Sequence, residues 1–191
     1  MATDAVAICN SALAKLGSLR ITALADSTEH ARLCNEQYNK IRKDLLRSHP
    51  FNFAIKRIAL VATTDPVFGF ASAFTLPSDN LRVLELDGCA EDEWAIEGSN
   101  TLVCDLDEAN IKYIYDLTDT TKFTSDFDEL LALTLAHDIC YALVQSVTLK
   151  DMLEKQVMRK TALVRTFDAQ EGTGQRVTAR RFLNARRSRG T

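Results

Sequence analysis

Asp126-Phe-Asp-Glu-Leu-Leu-Ala-Leu-Thr-Leu-Ala-His-Asp-Ile-Cys-Tyr-Ala-Leu-Val-Gln-Ser-Val-Thr-Leu149 decides how the chain is organised. Of the 23 residues from Phe127 onward, 15 are apolar. Thr134, Asp138, Gln145 and Thr148 supply the main polar stripe. A helix of this composition is buried on most sides and needs neighbours around it. Asp126 stands where an N-cap belongs, and the pattern predicts a helix from there to about Leu149.

Candidate neighbours lie on both sides. Val6, Cys9, Leu13 and Leu16 recur at three- and four-residue spacing, and Gly17 sits where a C-cap glycine belongs, so a helix is predicted over about 3–16. Asp26, with Glu29 three residues on, reads as a capping-box-like start. The apolar stripe Ala31, Cys34, Tyr38, Ile41 and Leu45 then runs to Ser48, where His49-Pro50 ends the helix. After the central helix, Asp151 opens an amphipathic one to about Gln170. Leu153, Val157 and Val164 face inward there, Glu154, Lys155, Arg159 and Arg165 face away, and Lys160 falls on the wrong side.

Between the helical pairs, residues 51–117 change period. Short runs rich in β-branched and aromatic residues alternate with Pro, Gly, Asn and Asp. Gly98-Ser-Asn100 reads as a hairpin turn and Asp87-Gly88 as a strand end that tolerates positive φ. The expectation is an α+β fold: a four-helix bundle (1–50 and 118–170) with a small antiparallel β domain (51–117) inserted between helices 2 and 3, plus a flexible arginine-rich C-terminal tail (171–191).

Composition narrows the class. At 191 residues with 46% hydrophobic and 26% charged, the chain carries a core that needs no disulfide or structural metal. Its odd set of cysteines (Cys9, Cys34, Cys89, Cys104, Cys140) without CxxC spacing fits reduced thiols and synthesis in a cytoplasm. The N-terminal segment lacks a basic region ahead of its apolar residues, and no run reaches the roughly 18 apolar residues of a span. Neither signal peptide nor membrane contact is expected.

Catalytic signatures are sparse. GxGxxG, GxxxxGK[ST], GxSxG and HExxH do not occur. His30 with Cys34, and His137 with Cys140, have spacings that can aim two ligands at one ion. A small buried cysteine beside a satisfied histidine is the ordinary origin of such pairs. Glu91-Asp-Glu93 and Asp105-Leu-Asp-Glu108 offer carboxylates but miss the calcium-loop pattern. No cofactor, metal or enzymatic activity is expected.

The tail carries the sharper signal. From Gln175 to Thr191 there are six arginines and no acid, leaving 17 bases against 26 acids, a balance of −9, in the other 174 residues. Gly172 and Gly174 form a joint ahead of it. Arginine without lysine suits planar pairing with carboxylate or phosphate. Arg176, Arg180, Arg181, Phe182, Leu183, Arg186, Arg187 and Arg189 are therefore the candidate partner-binding residues. A protein surface and nucleic acid are both open as the partner; one aromatic ring and an acidic body weigh towards protein.

Several stretches carry a family resemblance. Ala5-Val-Ala-Ile-Cys-Asn-Ser-Ala-Leu-Ala-Lys-Leu-Gly17, Ser27-Thr-Glu-His-Ala-Arg32 and Tyr38-Asn-Lys-Ile-Arg-Lys-Asp-Leu-Leu-Arg-Ser-His-Pro-Phe-Asn-Phe-Ala54 resemble tailed-phage head-to-tail adaptor proteins, nearest to the tail tubular protein A group. Phe74-Thr-Leu-Pro-Ser-Asp-Asn-Leu-Arg-Val-Leu84 and Ile111-Lys-Tyr-Ile-Tyr-Asp-Leu-Thr-Asp119 are similar to the same group, which covers about 1–170. Phe51 stands where many relatives carry tryptophan, and the tail matches no pattern of the group. The resemblance implies a structural protein of the virion, made in the host cytoplasm and placed at the head–tail junction. It implies a ring of twelve copies joining the portal protein to a tail nozzle or other tail protein, with DNA passing through the channel. The alternative is a DNA-binding protein acting through its arginines.

Overall fold

The computed structural model describes residues 4–90 and 92–171. Its helices are α1 (Ala5–Lys15), α2 (Glu29–Ser48), α3 (Ser125–Val144) and α4 (Val147–Glu171). The strands are β1 (Ile55–Ala59), β2 (Val61–Ala62), β3 (Ser72–Thr75), β4 (Asn80–Leu86), β5 (Trp94–Glu97), β6 (Thr101–Cys104) and β7 (Asn110–Tyr115). They form two antiparallel sheets, one ordered β1-β7-β4 and one ordered β2-β3-β6-β5.

The α+β class with four helices stands, but the expected four-helix bundle with a small inserted β domain is overturned. The helices do not close on one another: α3 is central, with α1, α2 and α4 packed chiefly on it. The strands make two sheets of three and four strands rather than one small domain. The first sheet is built into the helical core, where Ile114 is buried and Leu81, Leu84 and Tyr115 pack beside it. Its other side meets the second sheet through Val83, Leu86, Ile111 and Tyr113, against Phe74, Leu102 and Cys104. Two register shifts in β4, between Asn80 and Arg82 and between Val83 and Glu85, permit this. Each inserts an extra residue, so Leu81 and Leu84 turn to the helices while Val83 and Leu86 serve the second core. Alternation alone cannot reveal a strand that changes face twice.

Local chemistry explains most helix ends. Gly17, at φ +68°, closes α1: the amides of Gly17 and Ser18 donate to the carbonyls of Ala14 and Leu13. Thr28, not Asp26, caps α2, its hydroxyl accepting from the Ala31 amide at 3.3 Å. Asp26 instead accepts from the amides of Thr22 and Ala23 and closes the preceding turn. Thr124 caps α3 in place of Asp126, accepting from the Phe127 amide at 3.3 Å. The predicted helix to Leu149 stops at Val144, because Gln145 takes a left-handed conformation at φ 53°. Ser146 then accepts from the Leu149 amide, and α4 starts four residues earlier than the sequence suggests.

Phe127 is the hub of the helical core, with ring centroids 5.1 Å from Phe51, 5.2 Å from Phe53 and 4.9 Å from Phe123. Phe127→Ala is expected to cost about 3–5 kcal/mol in urea unfolding. Phe68→Ser, at a side chain 88% exposed, should leave the midpoint within about 0.5 kcal/mol of the parent.

Candidate functional site

Two polar devices tie the layers together. The first centres on Arg42, which lies on the apolar stripe of α2 and is 1% exposed. Its Nη1 donates to Asp116 Oδ1 at 2.6 Å and to the Leu117 carbonyl just beyond β7, while Lys43 Nζ reaches Asp116 Oδ2 at 3.1 Å. Burial alone would raise the Asp116 carboxyl, but the bonds and charges of Arg42 and Lys43 outweigh it and hold it below its ordinary value. Among the described residues, Arg42 Nε and the Tyr38 hydroxyl are buried without partners, and burial pushes the Tyr38 phenol up to about 12. A parallel device holds the β3–β4 turn: Asp79 accepts from Tyr113 at 3.0 Å and from Lys56 at 2.7 Å.

The second device is at the end of α4. Asp168 Oδ2 lies 3.1 Å from His49 Nε2, its Oδ1 accepts from the Asn52 amide at 2.9 Å, and its carbonyl accepts from the Asn52 side chain at 2.7 Å. His49 stands edge-on to Phe51 at 4.8 Å. A histidine–aspartate pair orients the base of a nucleophilic triad, but here both carboxylate oxygens are used to hold α4 against the turn that enters the first sheet. Beside it, Lys160 Nζ pairs with Asp126 at 2.6 Å, which explains a lysine on the inward side of α4.

The arginine-tail candidates Arg176, Arg180, Arg181, Phe182, Leu183, Arg186, Arg187 and Arg189 lie outside the described residues, as do Gly172 and Gly174 of the joint. The histidine–cysteine pairs do not converge on a third ligand. Cys34 is buried and engaged with Cys9, whose thiol is pushed up by that bond and by burial, while Cys34 is lowered. Cys140 is buried with its Sγ 3.8 Å from the Ser146 carbonyl. Among the described residues, no group of three or more His, Cys, Asp and Glu side chains is placed to hold a metal ion. In the acidic loops, Asp105 accepts from the Ala71 amide at 2.9 Å and Glu93 from the Ala90 amide at 2.8 Å, so both serve turns; Glu91 is outside the described residues.

Surfaces remain as the features that can act on a partner. The open end of the first sheet forms a groove of about 480 Å³, whose rim carries Arg57, Lys112, Glu85 and Asp87. Cross-strand register places Arg57, Lys112 and Glu85 in one row. Large apolar side chains are exposed on the loop after β2 (Val67 at 99% and Phe68) and along α4 (Val147, Met152, Met158, Leu163, Phe167). Sequence reasoning missed Arg42 and Asp168; the available signal was a charge on an otherwise apolar helix stripe, four residues after Tyr38 in one case and after Val164 in the other.

Neither a scan against protein-family models nor a search of curated proteins finds a match.

Arg42→Ala is expected to destabilise the fold by about 3 kcal/mol, since it leaves Asp116 and the Leu117 carbonyl without their buried donor. Because the Asp116 pKa is depressed in the folded state, its contribution is full above the unfolded value of 3.8 and fades as pH falls through the folded one. Asp116→Asn should therefore flatten the stability loss in that acid window, as read by urea unfolding at a series of pH values.

Proposed function

We propose that the protein is a structural adaptor at the head–tail junction of a tailed-phage virion, forming a ring of twelve copies between the portal protein and a tail nozzle or other tail protein. One observation supports this reading best. Large apolar side chains are exposed on two separate elements, the loop after β2 and both flanks of α4 beside its buried face. Single exposed apolar residues are normal, whereas clusters of them mark interaction surfaces. A closed heterologous ring needs two different lateral patches on each subunit.

The remaining features agree with that role. Buried polar ties between helices and sheet favour a rigid wedge, the shape a ring repeats. An acidic body of −9 outside the tail suits a channel that DNA traverses without sequence-specific binding. The arginine segment from Arg176 to Arg189 reaches for the portal or a neighbouring subunit, where carboxylates match its guanidinium groups. The protein acts by binding, with no turnover and no cofactor.

Cryo-electron microscopy of the protein mixed with its portal should give a closed ring templated by the portal, whereas analytical ultracentrifugation of the protein alone should give a monomer or a weakly associating species. A stable ring without portal contradicts the templated assembly. Absence of portal binding, together with duplex affinity that falls steeply with salt and vanishes on deleting 175–191, transfers the conclusion to nucleic-acid binding.

A further inference from the structure

Two exposed apolar patches on this chain carry opposite charge. The first is the loop of residues 63–71 between β2 and β3, where Val67 and Phe68 are the most exposed large apolar side chains among the described residues. Pro66 fixes the backbone before them, and Gly69, at φ +95°, turns the chain back, so the pair is held at the tip. The loop of residues 105–109 lies at the same end of the second sheet, because Ser72 pairs with Cys104 and the Ala71 amide donates to Asp105. Together the two loops contain Asp65, Asp105, Asp107 and Glu108 and no base.

The second patch runs along one flank of α4. Met152, Leu163 and Phe167 are exposed, and the first two each stand one residue before a buried one, Leu153 and Val164. Gln156 and Arg159 fill the gap between Met152 and Leu163 at three- and four-residue spacing, which places all five on one side of the helix. Lys155 borders them one turn before Arg159, whereas Asp151 and Glu154 are out of step with Met152 and project elsewhere. Lys155, Arg159, Asp65, Asp107 and Glu108 are exposed and form no salt bridge among the described residues. One patch is thus apolar and acidic, the other apolar and basic. Both are open in the same molecule, so neither covers the other within one chain. Pairing either patch with its own kind brings like charges together, while pairing the two unlike patches brings opposite charges together.

We propose that the loop of residues 63–71 docks on the α4 flank of a second copy of this chain. Val67 and Phe68 pack against Met152, Leu163 and Phe167, and Asp65 with its acidic neighbours faces Lys155 and Arg159. The contact is heterologous: every subunit gives a loop and receives one, which is the arrangement a closed ring repeats. A loop tip covers less than the roughly 800 Å² per partner that a stable interface buries. The contact is therefore weak between free copies and becomes populated where a template holds them side by side. This inference rests on the adaptor reading and names the lateral contact of its ring.

Sedimentation equilibrium of the full chain reads this contact. The weight-average mass of the parent should rise between about 0.1 and 1 mM, the range of a weak pair, and rise less at high salt. Phe68→Ser removes the anchor of the loop, and Arg159→Glu reverses the charge of the flank. Each alone should weaken association about tenfold. An equimolar mixture of the two should regain it, because one variant keeps its flank and the other its loop, and should stop at dimers. Thermal midpoints should not move, since both residues are exposed. If one does, Asp65→Arg replaces Phe68→Ser and Met152→Ser replaces Arg159→Glu. A parent that stays monomeric to about 1 mM overturns the proposal. So does a variant that associates like the parent, or a mixture that associates no better than its components. The adaptor reading is judged separately: if the mixture dimerises but no ring forms on the portal, the contact stands and that reading fails. If Phe68→Ser forms the portal-bound ring unimpaired, that reading stands and this contact falls.

Discussion

A guanidinium buried between the helical layer and the first sheet is the constraint around which this fold is arranged. Arg42 is 1% exposed, and removing such a group from water costs several kcal/mol unless its donors are satisfied. Its partners are not on α2 but at the end of β7, where Asp116 and the Leu117 carbonyl accept from the same nitrogen. Helix and sheet must therefore meet in one register. From Leu117 the chain passes through a short 3-10 turn into α3, so the entry of the central helix is set by the same contact. Lys43, half exposed, adds a second cation on the solvent side of Asp116.

The far end of the helical layer is secured by a different kind of bond. Asp168 holds His49 and Asn52, and the rings of Phe51, Phe53, Phe123 and Phe127 fill the space beneath. Together the two ties join α2 to the end of β7 and α4 to the turn ahead of β1. The apolar side chains outside this frame, on α4 and on the loop after β2, have no such internal use.

Several features were readable in the chain before any coordinates. The α1 stripe with Gly17, the α2 stripe from Ala31 to Leu45, and the hairpin through Gly98-Ser-Asn100 follow periodicity and turn chemistry, both of which are local. Local competition defeated other readings. Thr28 and Thr124 outcompeted Asp26 and Asp126 as caps because each aspartate had a better use, in a preceding turn and with Lys160. Gln145 ended α3 in a left-handed turn that neither glycine nor asparagine announces. Of the candidate site, the arginine segment was visible as composition, whereas Arg42 and Asp168 carried only the faint signal of a charge on an apolar stripe.

By itself the sequence determined the number of helices, the antiparallel character of the strands and the charge contrast between body and tail. Each depends on neighbours within a few residues, or on composition, where propensity and periodicity act directly. Tertiary structure alone decided that the strands divide into two sheets, that one sheet shares the helical core, and that α3 is flanked rather than bundled. Those outcomes turn on two bulges in β4 and on an ion pair whose partners are 74 residues apart. Such partners are chosen by which buried charge has a counter-charge within reach after folding, and no local pattern encodes that distance.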